Sequence, residues 1–400
     1  MTKKTRRPIW LTRNLAAISW VSLLQDAASE MLYPIMPILL NTVLGAPAAV
    51  VGMIEGAAEG AMAITKLASG WINRFIPRKM MVLLGYSGAA LGKIIIALAG
   101  FWPVVMAGRV VDRLGKGMRS AARDAILVQG VDKAHRGRVI GFHRTSDTTG
   151  AVIGPLLAIA MLSLFNNDIR PVLWIAVIPA LLSVAAVLFI RDNEPLTRLR
   201  AKPSLGVSAE DSPETSQKLD KRVSRVITIL AIFTMVNFPD ALLILHVSQV
   251  GFDVTQVVAI YLLFNICYAA LSFPLGMLAD RIQPKYVYSV GLLCFAVAYG
   301  GLGLTRDSTL TILLVSIYGG FAAANDVVGK SWVSKIAPDH QQMTVQARLQ
   351  GLSGFAILIA GTWAGFSWNL GAGAGSLPLI ISGALGLVAA ILLSSLRLAK

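Results

Sequence analysis

Trp102–Ala125 reads WPVVMAGRVVDRLGKGMRSAARDA, long enough to cross a bilayer yet carrying Arg109, Asp112, Arg113, Lys116, Arg119, Arg123 and Asp124. Arg109, Asp112, Lys116, Arg119 and Arg123 step by three, four, three and four residues, so a helix aligns them as one stripe. A charge at bilayer depth costs about 2.5–3.5 kcal/mol on insertion scales, so the stripe cannot face lipid. It must face a wet cavity or partners on other helices. A chain that needs such a helix is a polytopic membrane protein lining a path.

The rest of the sequence agrees. Of its 400 residues 55% are hydrophobic and only 14% are charged, against about 25% charged in soluble domains. The formal charge of +15 invites a nucleic-acid reading, but its distribution argues against one. Basic residues gather before the first apolar run (Lys3, Lys4, Arg6, Arg7, Arg13) and then in every second connection. These include Arg74, Arg78 and Lys79, Lys133 to Arg138, Arg191 to Arg222, and Arg281 and Lys285. The alternate loops hold little beyond Arg170 and Arg306. This positive-inside pattern places both termini in the cytoplasm and reports topology in a cell inner membrane, with no nucleic-acid partner. Asp26 and Glu30 interrupt the first apolar stretch, which therefore reads as the first membrane helix rather than a cleaved leader.

Spans of about 20 residues cross the hydrocarbon core. They fall near 14–41, 48–72, 80–100, 103–127, 138–164, 171–190, 223–249, 254–279, 286–304, 309–335, 346–368 and 375–396. The charged stretch 191–222, with Pro195, Pro203 and Pro213, reads as a cytoplasmic linker between a bundle at 1–190 and another at 223–400. The halves look duplicated. Asp26 and Asp240 share the 214-residue spacing that relates Asp112-Arg113-Leu114-Gly115-Lys116 to Asp326-Val327-Val328-Gly329-Lys330. Asn73-Arg74-Phe75-Ile76-Pro77-Arg78 is answered by Asp280-Arg281-Ile282-Gln283-Pro284-Lys285, and Arg138-Val139-Ile140-Gly141 by Arg348-Leu349-Gln350-Gly351. The expected fold is all-α, with twelve transmembrane helices in two pseudo-symmetric bundles of six.

Ser69–Lys79 resembles the loop between the second and third helices of the major facilitator superfamily, usually written G-x-x-x-D-R-x-G-R-[RK]. It differs in Ser69, Asn73 and Pro77; the copy at Gly276–Lys285 keeps Gly276, Asp280 and Arg281. Gly150-Ala151-Val152-Ile153-Gly154-Pro155 resembles the G-x-x-x-G-P signature of superfamily antiporters. The resemblance implies alternating access, a gating role for Asn73, Arg74, Arg78, Asp280 and Arg281, and a helix-five bend at Gly150, Gly154 and Pro155. It also places Arg109 where proton-driven exporters carry an arginine near the coupling carboxylate.

The residues themselves supply the chemistry. Asp26 and Glu30, and Glu55 and Glu59, are pairs one helical turn apart, and a carboxyl withdrawn from water is a natural proton carrier. Asp26 is the first choice for coupling, because it lies deep in its span and has a counterpart in Asp240. Arg109, Asp112, Arg113 and Lys116 can bind an anion, set the protonation of those carboxyls, or lock helices together; Asp147 joins them from the fifth span. Gly52, Gly56 and Gly60 form a small-residue packing stripe. The second half offers Asp240, Asn325, Asp326 and Lys330 among Tyr261, Tyr268 and Tyr318, a wall suited to an amphipathic anion or zwitterion.

Two motifs mislead. Gly329-Lys330-Ser331 mimics the end of a phosphate loop, but Ala324 stands where its first glycine belongs. Gly371–Gly375 is a turn. No spaced His or Cys cluster suggests a metal, no cofactor is implied, and Cys267 and Cys294 read as packed thiols. The sequence thus predicts a monomeric, proton-coupled carrier of a small molecule embedded in lipid, with export favoured. An importer of the same build and a lipid flippase are the alternatives, and an enzyme is excluded for want of a convergent nucleophile.

Overall fold

A computed structural model describes residues 12–127, 129, 131, 136–191, 221–337 and 342–395, and all regular structure among them is helical. The N-terminal half opens with α1 (Arg13–Leu32) and α2 (Met36–Ile38), which runs on into a π-helical turn at Leu39–Val43. It continues through α3 (Ala48–Ile72), α4 (Arg78–Leu98), α5 (Trp102–Leu127), α6 (Arg136–Leu164) and α7 (Ile169–Val187). Next come α8 (Lys221–Thr234), α9 (Asp240–Val250), α10 (Val254–Arg281), α11 (Pro284–Leu304) and α12 (Ser308–Ala323). A second π-turn at Ala324–Val328 leads into α13 (Gly329–Ile336), followed by α14 (Gln342–Phe366) and α15 (Ser376–Ser395).

Among the described residues nine helical segments are long and apolar enough to cross a membrane by themselves. The interrupted pairs α1–α2 and α8–α9, and the charged α5, complete twelve crossings. Large apolar side chains such as Leu98, Leu164, Leu188, Phe273, Leu304 and Phe366 point outward, as a lipid-facing surface requires. Local chemistry sets the helix starts. Asp168 accepts from the Arg170 amide at 2.9 Å and Asp307 from the Leu310 amide at 2.8 Å. Asp253 and Gln256 form a reciprocal capping box before α10.

The chain divides into two compact units, one comprising Met1–Leu32 and Ala61–Gly206, the other Tyr33–Gly60 and Val207–Lys400. The boundary passes through α3 after Gly60. Apart from Arg191, Lys221 and Arg222, the stretch 191–222 lies outside the described residues.

In the first unit α4 and α5 meet backbone to backbone. A Cβ on Gly85 would lie 2.7 Å from the Gly115 carbonyl oxygen, and one on Gly108 would lie 2.7 Å from that of Gly92. Only glycine permits this approach, and it recurs at two levels of the same seam. In the second unit Gly52 abuts the Gly361 backbone and Gly56 abuts Leu358, while the space beside Gly60 is open. Two of the three glycines in the expected stripe therefore serve packing.

Candidate functional site

The α5 stripe forms as expected and is largely inward: Arg109, Asp112 and Arg119 are each 4% exposed, while Arg113, Lys116 and Arg123 are half-buried. Its first two members join Lys93 in a buried ion cluster. The Asp112 carboxylate receives Lys93 Nζ of α4 at 3.2 Å and Arg109 of its own helix at 3.8 Å. Lys93 is only 2% exposed. Such a buried pair holds two helices in register, and removing one partner strands the other charge. Further along, Arg119 donates to the Gly85 carbonyl at 3.3 Å and lies over the Tyr86 ring, 4.3 Å from its centroid. Arg123 reaches Ser22 Oγ of α1 at 3.2 Å and Asp124 at 3.0 Å.

Asp26 on α1 is different. It is half-buried, and among the described residues no hydrogen bond or ion pair closes on its carboxylate. The charges that reach it are Asp147 of α6 and Lys116, Arg123 and Arg119 of α5. Glycines set this proximity: a Cβ on Gly150 would lie 3.1 Å from Asp26 Cβ, and one on Gly154 would lie 2.8 Å from Glu30 Cβ. α6 runs unbroken from Arg136 to Leu164 with Pro155 inside it, so these glycines bring α6 onto α1 at the two carboxylates.

The second unit handles its carboxylates with phenols. Between α8 and α9 the helix breaks over Met235–Pro239, and the freed carbonyls of Met235 and Val236 accept from Trp363 Nε1 at 2.9 Å and Ser382 Oγ at 2.8 Å. Asp240 opens α9 and accepts from the Tyr318 hydroxyl at 2.6 Å, while Tyr299 donates to Asn237 at 3.2 Å. Asp240, Tyr261, Phe264 and Tyr318 line a small cavity otherwise walled by aliphatic side chains. The π-turn presents Asn325 to the Tyr288 hydroxyl at 2.8 Å and Asp326 to the Tyr268 hydroxyl at 2.9 Å, and Lys330 pairs with Asp326 from one turn on.

A family model described as Major Facilitator Superfamily matches residues 18–267 and 226–400. The chain belongs to the major facilitator superfamily. It is 28% identical over 367 residues to an uncharacterized MFS-type transporter of Methanocaldococcus jannaschii, covering 90% of this chain and 89% of that one. A partial match, 28% identical over 137 residues, links 34% of this chain to 24% of a triacylglyceride transporter of Mycolicibacterium smegmatis. Two solved structures share the fold over 97% of this chain and 100% of theirs: a nucleoside transporter (TM-score 0.79, 14% identity) and the human organic anion transporter TETRAN (TM-score 0.63, 19% identity). The protein is a membrane transporter and not an enzyme.

The superfamily loop residues sit at helix ends. Asn73 and Arg74 occupy the turn after α3, where Arg74 is exposed, and Arg78 begins α4. Arg281 closes α10; Asp280 precedes it, and its side chain lies outside the described residues. Lys335 of α13 donates to the Ala279 carbonyl at 2.9 Å, where a cation suits a helix C-terminus. Glu55 is buried and Glu59 half-buried in the part of α3 that belongs to the second unit. Sequence reasoning passed over Lys93, although a lone lysine within an apolar span is itself a signal that an acid waits on a neighbouring helix. It also passed over Gly85, Gly92, Gly108 and Gly115. Among the described residues no His, Cys, Asp and Glu group has metal-binding geometry.

Proposed function

We propose that this superfamily member is a proton-coupled secondary transporter that moves a small organic solute, anionic or amphipathic, across the inner membrane by alternating access, with export favoured. The observation that carries the reading is the contrast within one stripe. Asp112 is tied to Lys93 and Arg109, whereas Asp26 is unpaired among the described residues, within reach of Asp147, Lys116, Arg119 and Arg123. An unpaired carboxylate among charges changes its proton occupancy when a substrate engages those charges. Within the first unit, Lys116 and Arg123 beside Asp26 supply attraction for an anionic group. Export draws support from the antiporter-like Gly150–Pro155 motif, whose glycines lie against Asp26 and Glu30. The protein acts as a monomer with both termini in the cytoplasm, a placement that rests on the positive-inside pattern. A second reading, movement of a lipid, draws on the partial match to the triacylglyceride transporter.

The test is proton exchange by the purified protein in detergent, followed with a pH indicator as organic anions, organic cations and lipophilic compounds are added in turn. Release triggered by one class and lost in Asp26→Asn supports antiport and names the class. Uptake lost in the same variant keeps the coupling site but makes the protein a symporter. Binding with no proton change removes Asp26 from coupling and turns attention to the lipid reading.

A further inference from the structure

The α1/α6 seam holds a group of buried polar atoms that the reading above does not use. A Cβ on Gly150 would meet the Leu23 carbonyl and Asp26, and one on Gly154 would meet the Ala27 carbonyl and Glu30. The two helices therefore run parallel, advancing four residues together. Carried back two turns, this register places His143 beside Ser19, with Asp147 between that level and Asp26. His143 is 2% exposed and Ser19 is 4% exposed. Among the described residues, Ser19 Oγ, both ring nitrogens of His143 and Asp147 Oδ1 are buried without a hydrogen-bond partner. His143 Nε2 lies 3.6 Å from Asp147 Oδ1, just beyond hydrogen-bond reach.

Buried polar atoms are nearly always satisfied, so several orphans along one seam ask for a role. A static helix contact would be better served by apolar side chains. The charged groups around the pair are Arg123 and Asp124 from α5 and Arg144 from α6, with Lys116 of α5 and Asp26 of α1 also reaching Asp147. The line Ser19, His143, Asp147, Asp26 thus follows the seam from two turns inside α6 to the Asp26 carboxylate.

We propose that His143 and Asp147 form a proton-transfer site that loads and unloads Asp26. A hydronium admitted at the Ser19 end of the seam gives its proton to His143 Nδ1 and leaves as water, and the Nε2–H bond breaks as an O–H bond forms on Asp147 Oδ1. That O–H bond then breaks as the proton passes to the Asp26 carboxylate, and the imidazole returns neutral with its two nitrogens exchanged. A small rotation of either side chain closes the 3.6 Å gap. The site rests on the reading of Asp26 as the coupling acid and adds to it the route by which the proton arrives.

A pH jump on the purified full-length protein, with the carboxylic acid C=O stretch followed by infrared spectroscopy, tests both parts separately. The Asp26 band is the one that Asp26→Asn removes. His143→Gln keeps size and hydrogen bonding but cannot carry a proton at neutral pH. It is expected to slow the appearance of that band roughly 100-fold, the scale of a lost acid–base group, while leaving its final amplitude intact. Asp147→Asn, the second variant should His143→Gln fail to fold, is expected to slow it similarly. An Asp26 band that appears at wild-type rate in either folded variant overturns the transfer site and leaves Asp26 as the coupling acid. A spectrum with no band lost in Asp26→Asn overturns both.

Discussion

Asp112 and Asp326 occupy matching positions in the two halves of the sequence, and the protein holds them in opposite ways. Asp112 sits in an unbroken helix, 4% exposed, gripped by Lys93 at 3.2 Å and Arg109 at 3.8 Å. Asp326 rides on a π-turn, half-buried, with the Tyr268 hydroxyl at 2.9 Å and Lys330 of its own chain turn. The other matched pair is reversed: Asp26 is unpaired, while Asp240 takes the Tyr318 hydroxyl at 2.6 Å. Duplication thus repeats where carboxylates lie in the membrane without repeating what they do. In the first half one matched acid is held by charges of two helices, and the other has no hydrogen bond or ion pair among the described residues. In the second half the two matched acids both accept from phenols, Asp240 from Tyr318 and Asp326 from Tyr268.

The largest effect should come from Lys93→Met. It leaves Asp112 and Arg109 buried without their cross-helix partner, and about 3–5 kcal/mol of stability should be lost, read as a lower melting midpoint in detergent. Lys330→Met in the second half should cost under about 1 kcal/mol, as exposed pairs do. Equal losses would break the comparison. Tyr318→Phe removes a hydrogen bond to a carboxylate and should cost about 1.5–3 kcal/mol. If Tyr268→Phe costs as much, the two phenols are equivalent struts; a smaller loss there would mark the π-turn as the looser of the two sites. Gly52→Ala forces a methyl into the Gly361 backbone and should cost about 1–3 kcal/mol. Gly60→Ala meets open space and should be neutral or slightly stabilising. Thermal melting of the two alanine variants side by side decides whether the glycine stripe ends at Gly56.

Much of the fold was legible because lipid imposes one rule on every span. The run 48–72 coincides with α3, and 103–127 differs from α5 by one residue. The π-turns at Leu39–Val43 and Ala324–Val328 were not legible, since neither contains a Pro or Gly to mark it. The break before α9 was half visible in Pro239. For the site, the spacing of Arg109, Asp112 and Lys116 gave the stripe, but partners on other helices decide which charges are locked. The sequence left open whether Asp112 binds, tunes a neighbouring carboxyl or locks helices, and only the placement of Lys93 against it shows the buried ion pair. Likewise the Gly150–Pro155 motif was visible in the sequence, but not that the helix which Gly150 and Gly154 meet is α1, at its two carboxylates.

The backbone contact between α4 and α5 has a mechanical meaning. Gly85 against Gly115 and Gly92 against Gly108 set backbone on backbone at two levels, where no rotamer can absorb sliding, and Lys93–Asp112 pins the same pair of helices. Shear between helices depends on just such side-chain adjustment. The two helices therefore behave as one stiff beam. A covalent cross-link between them should leave turnover unimpaired, because the stroke of the carrier has to be generated at seams where side chains can trade places.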